Sequence, residues 1–493
     1  MKIVCFVNPL VHQRGPCRGH VWSEFFAKLL QPLRQAARCE CMLVTGAWFE
    51  DWASQNDKAD LLTGLRLVLL DEISLYRRIR ALGDLPTALG SIIYDADNAD
   101  LPALRVIADV LASQVGDFEP DVVIGFAGDA KYLSALWPDA LQLHVERGHF
   151  ARSPYPFSMY FDHLGVHARS AIARVNGSKL AYPVTSDGRA LVSTFRATMA
   201  ASLERLDPFR SHDLRADFDR VVLLPLQISN EVFFDAQTSH RTQFEFLYDV
   251  LIATPADVGV IVTEHPNAEP VLRRTGPCPN LAELRRSFPN MVFLEECRSL
   301  QTPSQFLVPR VDGVWSVSSS IAHQALLFGG VVGTPPGTEI SYFADATTFP
   351  AFFDQLGHRE PNKAEALLAW LLERYLVPAA LFANGRWFND YLERRLEAAR
   401  SAVNPIDGFV ATADPDRLMH AWMAEAPEHP AKVCEQWDED SLFAELAADR
   451  AVLLAERNAL LNSTSWRMTA PLRSLKQAAG GWRADHARRS GAA

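Results

Sequence analysis

The sequence predicts an α/β protein of two Rossmann-like, doubly wound domains facing a cleft, followed by a helical C-terminal extension. Three observations carry this. Apolar, β-branched runs alternate with amphipathic stretches through residues 1–206 and again through 220–402, the pattern of parallel strands joined by crossover helices. The runs stop at polar residues, as buried parallel strands do where their carboxyl ends open into loops. At 493 residues the chain exceeds what one hydrophobic core serves.

In the first domain, KIVCFV (Lys2 to Val7) reads as the opening strand. A glycine-bearing loop follows, then an amphipathic stretch from Val21 to Ala37. The glycine spacing is not the dinucleotide fingerprint, which disfavours NAD. Further strands are expected at Cys39 to Gly46, Leu65 to Asp71, Asp121 to Phe126 and Leu141 to Glu146, with helices at Leu101 to Val115 and Ala130 to Leu136. The segment His144 to Ser170 is polar and aromatic with little periodicity, and its length marks it as a functional loop. Ser186 to Leu206 reads as a helix, and the charged stretch Asp207 to Arg220 as the connector between domains.

The second domain alternates strand Val221 to Gln227, helix Arg241 to Ala253, strand Val258 to Thr263, helix Leu281 to Phe288, strand Met291 to Glu296 and the run VDGVWSVS from Val311. A helical stretch from Lys363 to Arg400 returns after it. Residues 435–493 read as a helical, basic and aromatic tail: Ser441 to Leu461 carries a leucine stripe at heptad spacing, and six Lys or Arg interleave with Trp466, Met468, Leu472 and Trp482. Such interleaving suits contact with an anionic membrane surface. A frayed solvated tail is the alternative.

Composition excludes several classes. A net charge of -11 argues against nucleic-acid binding. No run approaches the roughly 20 apolar residues of a membrane span. The amino terminus enters a strand without a signal-peptide pattern, so a cytoplasmic protein is expected. The cysteines (5, 17, 39, 41, 278, 297 and 434) are scattered and odd in number, so neither disulfides nor a zinc site is expected.

Three strand exits of the second domain carry chemistry. Gln227 ends the first. His265-Pro266 ends another, where proline stops the strand and the imidazole can donate to a phosphate oxygen. Ser318, Ser319 and Ser320 precede a helix, offering hydroxyls and free N–H groups to phosphate, or simply capping that helix. In the first domain Glu146, followed by Arg147, Gly148 and His149, is the first catalytic candidate; a solvated glutamate held by Arg147 is the alternative. Two acidic strings, Asp95 to Asp97 and Asp438 to Asp440, follow no strand and read as acidic loops rather than metal sites.

The order PLQ followed by acidic residues, then HP, then a serine segment running into a helix and a Gly-Gly turn, resembles the retaining β-Kdo glycosyltransferases of bacterial capsule and O-antigen synthesis. The segment ERGHFARSPYPFSMYFDHLGVH is similar to that family's E-x-G segment leading to a Gly-Val. The resemblance spans about residues 120 to 345. It implies a GT-B fold, CMP-Kdo as donor, a glycan acceptor that can be lipid-linked, no metal or other cofactor, and double displacement through a carboxylate after the glutamine. Gln227, His265, Pro266 and the three serines would bind the CMP-sugar. Two departures stand out. Glu231 lies four residues past Gln227, where an Asp is expected, and Glu264 precedes HP, where a basic residue is often seen. The nucleophile is therefore open: spacing favours Glu231, whereas chemical type favours Asp235, whose shorter side chain is stiffer. We prefer Asp235.

The chemistry supports paired carboxylates without the family. One carboxylate traps an oxocarbenium-like centre, and a second, Glu146, removes the acceptor's proton. Rival readings are a GT-B transferase using CMP-sialic acid or a UDP-sugar, and a non-catalytic glycan-assembly subunit.

Overall fold

Two sheets with the same core strand order organise the chain. The computed structural model describes residues 1–7, 19–37, 39–82, 102–126, 131–174, 182–228, 234, 237–265, 272, 279–358 and 364–423. Residues 1–432 form one compact unit that contains both sheets; residues 433–493 form a second, outside the described residues. The tail and both acidic strings lie there or in other undescribed segments.

The first sheet runs β12-β6-β5-β4-β1-β2-β3. Strands β1 (Lys2–Val7), β2 (Glu40–Gly46), β3 (Arg66–Leu70), β4 (Val122–Phe126) and β5 (Leu141–Arg147) are parallel. The second runs β11-β10-β7-β8-β9, all parallel: β7 (Arg220–Leu226), β8 (Val258–Glu264), β9 (Met291–Val292), β10 (Gly313–Trp315) and β11 (Val331–Gly333). Both therefore hold the 3-2-1-4-5 order of a Rossmann half. The α/β, doubly wound architecture expected from the sequence is present. Central strands are buried on both faces; in β4 and β8 every residue is buried. This explains why they read as unbroken apolar runs.

Four expectations are corrected. The segment after Glu146 is not all loop: Ser158–Asp162 forms β6, antiparallel to β5, with Glu146 opposite Tyr160. All five of its residues are buried, so no alternation marks it. The returning helix is broken. Leu376–Pro378 forms β12, antiparallel to β6, before the helix Gly385–Ser401. That helix lies so close to helix Gly19–Ala37 that a Cβ on Gly385 would meet the Pro32 carbonyl oxygen. The expected strand Met291 to Glu296 is two residues long and passes into a 3-10 turn at Glu295–Arg298. Finally, the compact unit runs past residue 402, because Phe409 and Trp422 are buried in it and the Trp422 indole N–H donates to the Leu372 carbonyl at 3.0 Å.

Candidate functional site

The second sheet's topological switch point lies between β7 and β10, where open α/β sheets hold their ligands. Pro225 nears the exit of β7. It has no N–H to give, and the pairing of β7 with β10 covers only Val222 and Leu223, so the proline sits beyond that ladder. Gln227 follows. Its amide N–H donates to Ser318 Oγ at 2.7 Å, and its side-chain carbonyl accepts the Ser318 backbone N–H at 3.2 Å. Two strand exits are thereby tied side by side. Gln227's own backbone N–H donates to Gln243 Oε1 at 2.8 Å. Gln243 is placed by a cap: Thr242 Oγ1 accepts the Glu245 N–H at 3.1 Å, and Glu245 accepts the Arg241 N–H at 2.6 Å, starting helix Gln243–Ala253 one residue before.

Gln227, His265, Ser318, Ser319 and Ser320 all line one cavity of about 280 Å³. Its far wall comes from the first sheet and includes Glu146, which lies within β5 rather than past its end. Glu146 is half-buried, and its Oε1 accepts the Arg147 backbone N–H at 2.7 Å. The serine segment opens a helix of only seven residues, Ile321–Leu327. Ser316 Oγ accepts the Ser319 N–H at 3.2 Å, and Ser319 Oγ accepts the Ile321 N–H at 3.3 Å, so the local hydroxyls organise the turn itself. Glu264, the residue before His265, is buried and accepts the Leu272 N–H at 2.9 Å, which gives this carboxylate a structural job at the end of β8. Glu231, Asp235 and Pro266 lie outside the described residues.

Several lining residues were not singled out in the sequence. Arg152 Nη1 stands 3.3 Å from His265 Nε2. A guanidinium only donates, so this nitrogen accepts and the imidazole proton sits on Nδ1. Burial lowers the Arg152 pKa to about 10, which leaves it charged at neutral pH. His149 and His323 stack face to face at 3.6 Å, the first from the loop after β5 and the second from the helix after β10. His323 Nε2 is 2.9 Å from the Tyr342 hydroxyl. His167 Nδ1 and Glu339 Oε2 pair at 2.6 Å, again joining segments that follow different sheets. His167 takes φ 54, a left-handed conformation uncommon outside glycine. Arg152 had a faint signal, a cation six residues past Glu146 in the same exit; His149 and His167 fall in the segment that carries the resemblance, but their pairing could not be read because their partners lie far along the chain. Among the described residues no three His, Cys, Asp or Glu gather around a common metal position. No helix among them is long and apolar enough to cross a membrane.

This is the class of protein the fold and site define: two Rossmann-like sheets with a cavity at the switch point of the second into which polar and charged side chains of both converge. No family model matches the chain, and no curated protein matches it. Among solved structures it is similar to a β-Kdo 2,7 transferase, KpsC of Thermosulfurimonas dismutans, at 13% identity, covering 69% of this chain and 97% of that one with a TM-score of 0.38. A β-Kdo 2,4 transferase from the same organism's KpsC matches at 16% identity, covering 52% and 81%, with a TM-score of 0.36. The UDP-GlcNAc 2-epimerase of Neisseria meningitidis matches at 14% identity, covering 75% and 94%, with a TM-score of 0.31.

Proposed function

We propose that this chain is a GT-B glycosyltransferase that moves β-Kdo from CMP-Kdo to a cell-surface polysaccharide acceptor, of O-antigen or capsule, with retention of configuration. The observation that carries this reading is the single cavity in which Gln227 and Ser318, His265 with Arg152, and Glu146 come together from three strand exits and the opposite sheet. The order of sequence motifs supports Kdo as the sugar.

In this reading the Arg152 guanidinium neutralises the departing phosphate and the His265 imidazole donates a hydrogen bond to it, while the serine hydroxyls, which accept within the turn and can still donate, hold its other oxygens. A carboxylate on the segment after Gln227, Asp235 or Glu231, attacks the anomeric carbon as CMP leaves with the bonding electrons. Glu146 then takes the proton of the acceptor hydroxyl, whose oxygen attacks the same carbon and expels the enzyme carboxylate. Two inversions give net retention. A positively charged clamp supplies the leaving-group stabilisation without a metal. The basic tail would hold the enzyme at the cytoplasmic face of a membrane, near a lipid-linked acceptor.

The test is donor turnover against a nucleotide panel. Transfer or slow hydrolysis of CMP-Kdo, with CMP-sialic acid and UDP-sugars left intact, is the expected result; turnover of a UDP-sugar in place of CMP-Kdo overturns the donor assignment.

A further inference from the structure

The proton on Tyr342 has a direction. His323 is 2% exposed, and its Nε2 meets the Tyr342 hydroxyl while its Nδ1 is buried without a hydrogen-bond partner. One of the two facing atoms donates. Were it the hydroxyl, the imidazole proton would sit on Nδ1 as a buried N–H bonded to nothing, which costs more than an unfilled lone pair. With Nε2 as donor, the buried orphan is only a lone pair, and the phenol keeps its own proton for another acceptor. Burial, with His149 stacked beside it, keeps His323 neutral, and burial with Glu339 near keeps Tyr342 protonated.

Tyr342 lines the same cavity as Gln227 and Glu146. It belongs to the segment after β11, the strand beside β10, whose exit carries Ser318. It therefore stands on the second sheet one strand beyond the nucleotide clamp, and Tyr160 and Glu146 of the first sheet line the same cavity. We propose that Tyr342, oriented by His323, donates a hydrogen bond to an oxygen of the transferred sugar, hydroxyl or carboxylate, and so reads the sugar rather than the nucleotide. This rests on the sugar-nucleotide reading above.

Calorimetry on wild type and Tyr342→Phe, with CMP and CMP-Kdo titrated separately and no acceptor present, tests it. Tyr342→Phe keeps the ring and its packing on Phe343. The expected result is unchanged CMP affinity, which also reports an intact fold, and about tenfold weaker CMP-Kdo binding. His323→Phe, which removes the orienting nitrogen but keeps a ring, should weaken CMP-Kdo in the same selective way. Equal losses for both ligands, or no loss for either, overturn the inference. If wild type binds neither CMP nor CMP-Kdo, the donor reading falls, and the same comparison on UDP and UDP-GlcNAc decides the Tyr342 role separately. Failure of both pairs in wild type overturns both.

Discussion

His149 and His323 lie ring on ring, centroids 3.6 Å apart and planes within 3°, one from the loop after β5 and the other from the helix after β10. The Gln324 amide adds a 3.3 Å bond to the His149 carbonyl. Two imidazoles packed this closely cannot both be charged, since two positive charges at this separation repel strongly, and burial of each ring keeps both neutral.

Stability should therefore fall on the acid side. Burial, then neighbouring His167, lowers the His149 pKa from 6.5 to about 3, and burial, then Arg395, His144 and Arg174, lowers that of His163 to about 4. The unfolded chain takes up these protons near pH 6.5 while the folded chain does not, so stability is full above that pH and is lost as pH drops toward 3 to 4. Each such histidine contributes a slope of about 1.4 kcal/mol per pH unit in that window. Denaturation curves between pH 7 and 4.5 check this: His149→Phe should flatten the slope by one histidine's share, and an unchanged slope would deny that His149 is held neutral.

Gln227→Ala removes both bonds to Ser318 and unties the two strand exits. At roughly 0.5 to 1.5 kcal/mol for each neutral hydrogen bond, the loss should cost about 1 to 3 kcal/mol of stability, and nucleotide affinity should fall because the two exits are no longer held together. Unchanged CMP affinity in a titration would take Gln227 out of the site.

Glu146→Gln keeps the size of the side chain and its bond from the Arg147 N–H, but cannot take a proton. Transfer should fall by about 10²- to 10⁴-fold while CMP binding persists. A variant that retains transfer would return Glu146 to the role of a structural strand residue.

Much of this architecture was legible in the residues. Strands β1, β4, β7 and β8 are buried on both faces, which requires apolar runs that announce themselves. Gln227, His265 and the serines were legible because polar residues at the ends of such runs have few other reasons to be there. β6 escaped because SMYFD sits in an aromatic segment without a period, and β12 because three residues ending in Pro378 carry no pattern against a helical background. The histidine stack, the Arg152 contact and the His167–Glu339 pair join positions distant in sequence; each side chain alone looks like an ordinary polar residue, and only the fold pairs them.

The boundary of the folded unit gives a separate test. Trp422 is fully buried and packs edge-on against Phe195, so Trp422→Ala should cost about 3 to 5 kcal/mol. A chain ending at residue 432 should melt as the full chain does, whereas one ending at residue 403 should not fold. A stable protein ending at 403 would show that the last helix is an accessory.

The central claim is retaining transfer of Kdo, and the anomeric configuration of the product tests it most directly. Incubated with CMP-Kdo and a synthetic glycan acceptor, the protein should yield a β-linked Kdo product by NMR, and mass spectrometry should find a Kdo adduct on the peptide carrying Glu231 and Asp235, with Asp235 the preferred site. A product of inverted configuration with no adduct would contradict the double displacement, and an absence of any Kdo product would contradict the account as a whole.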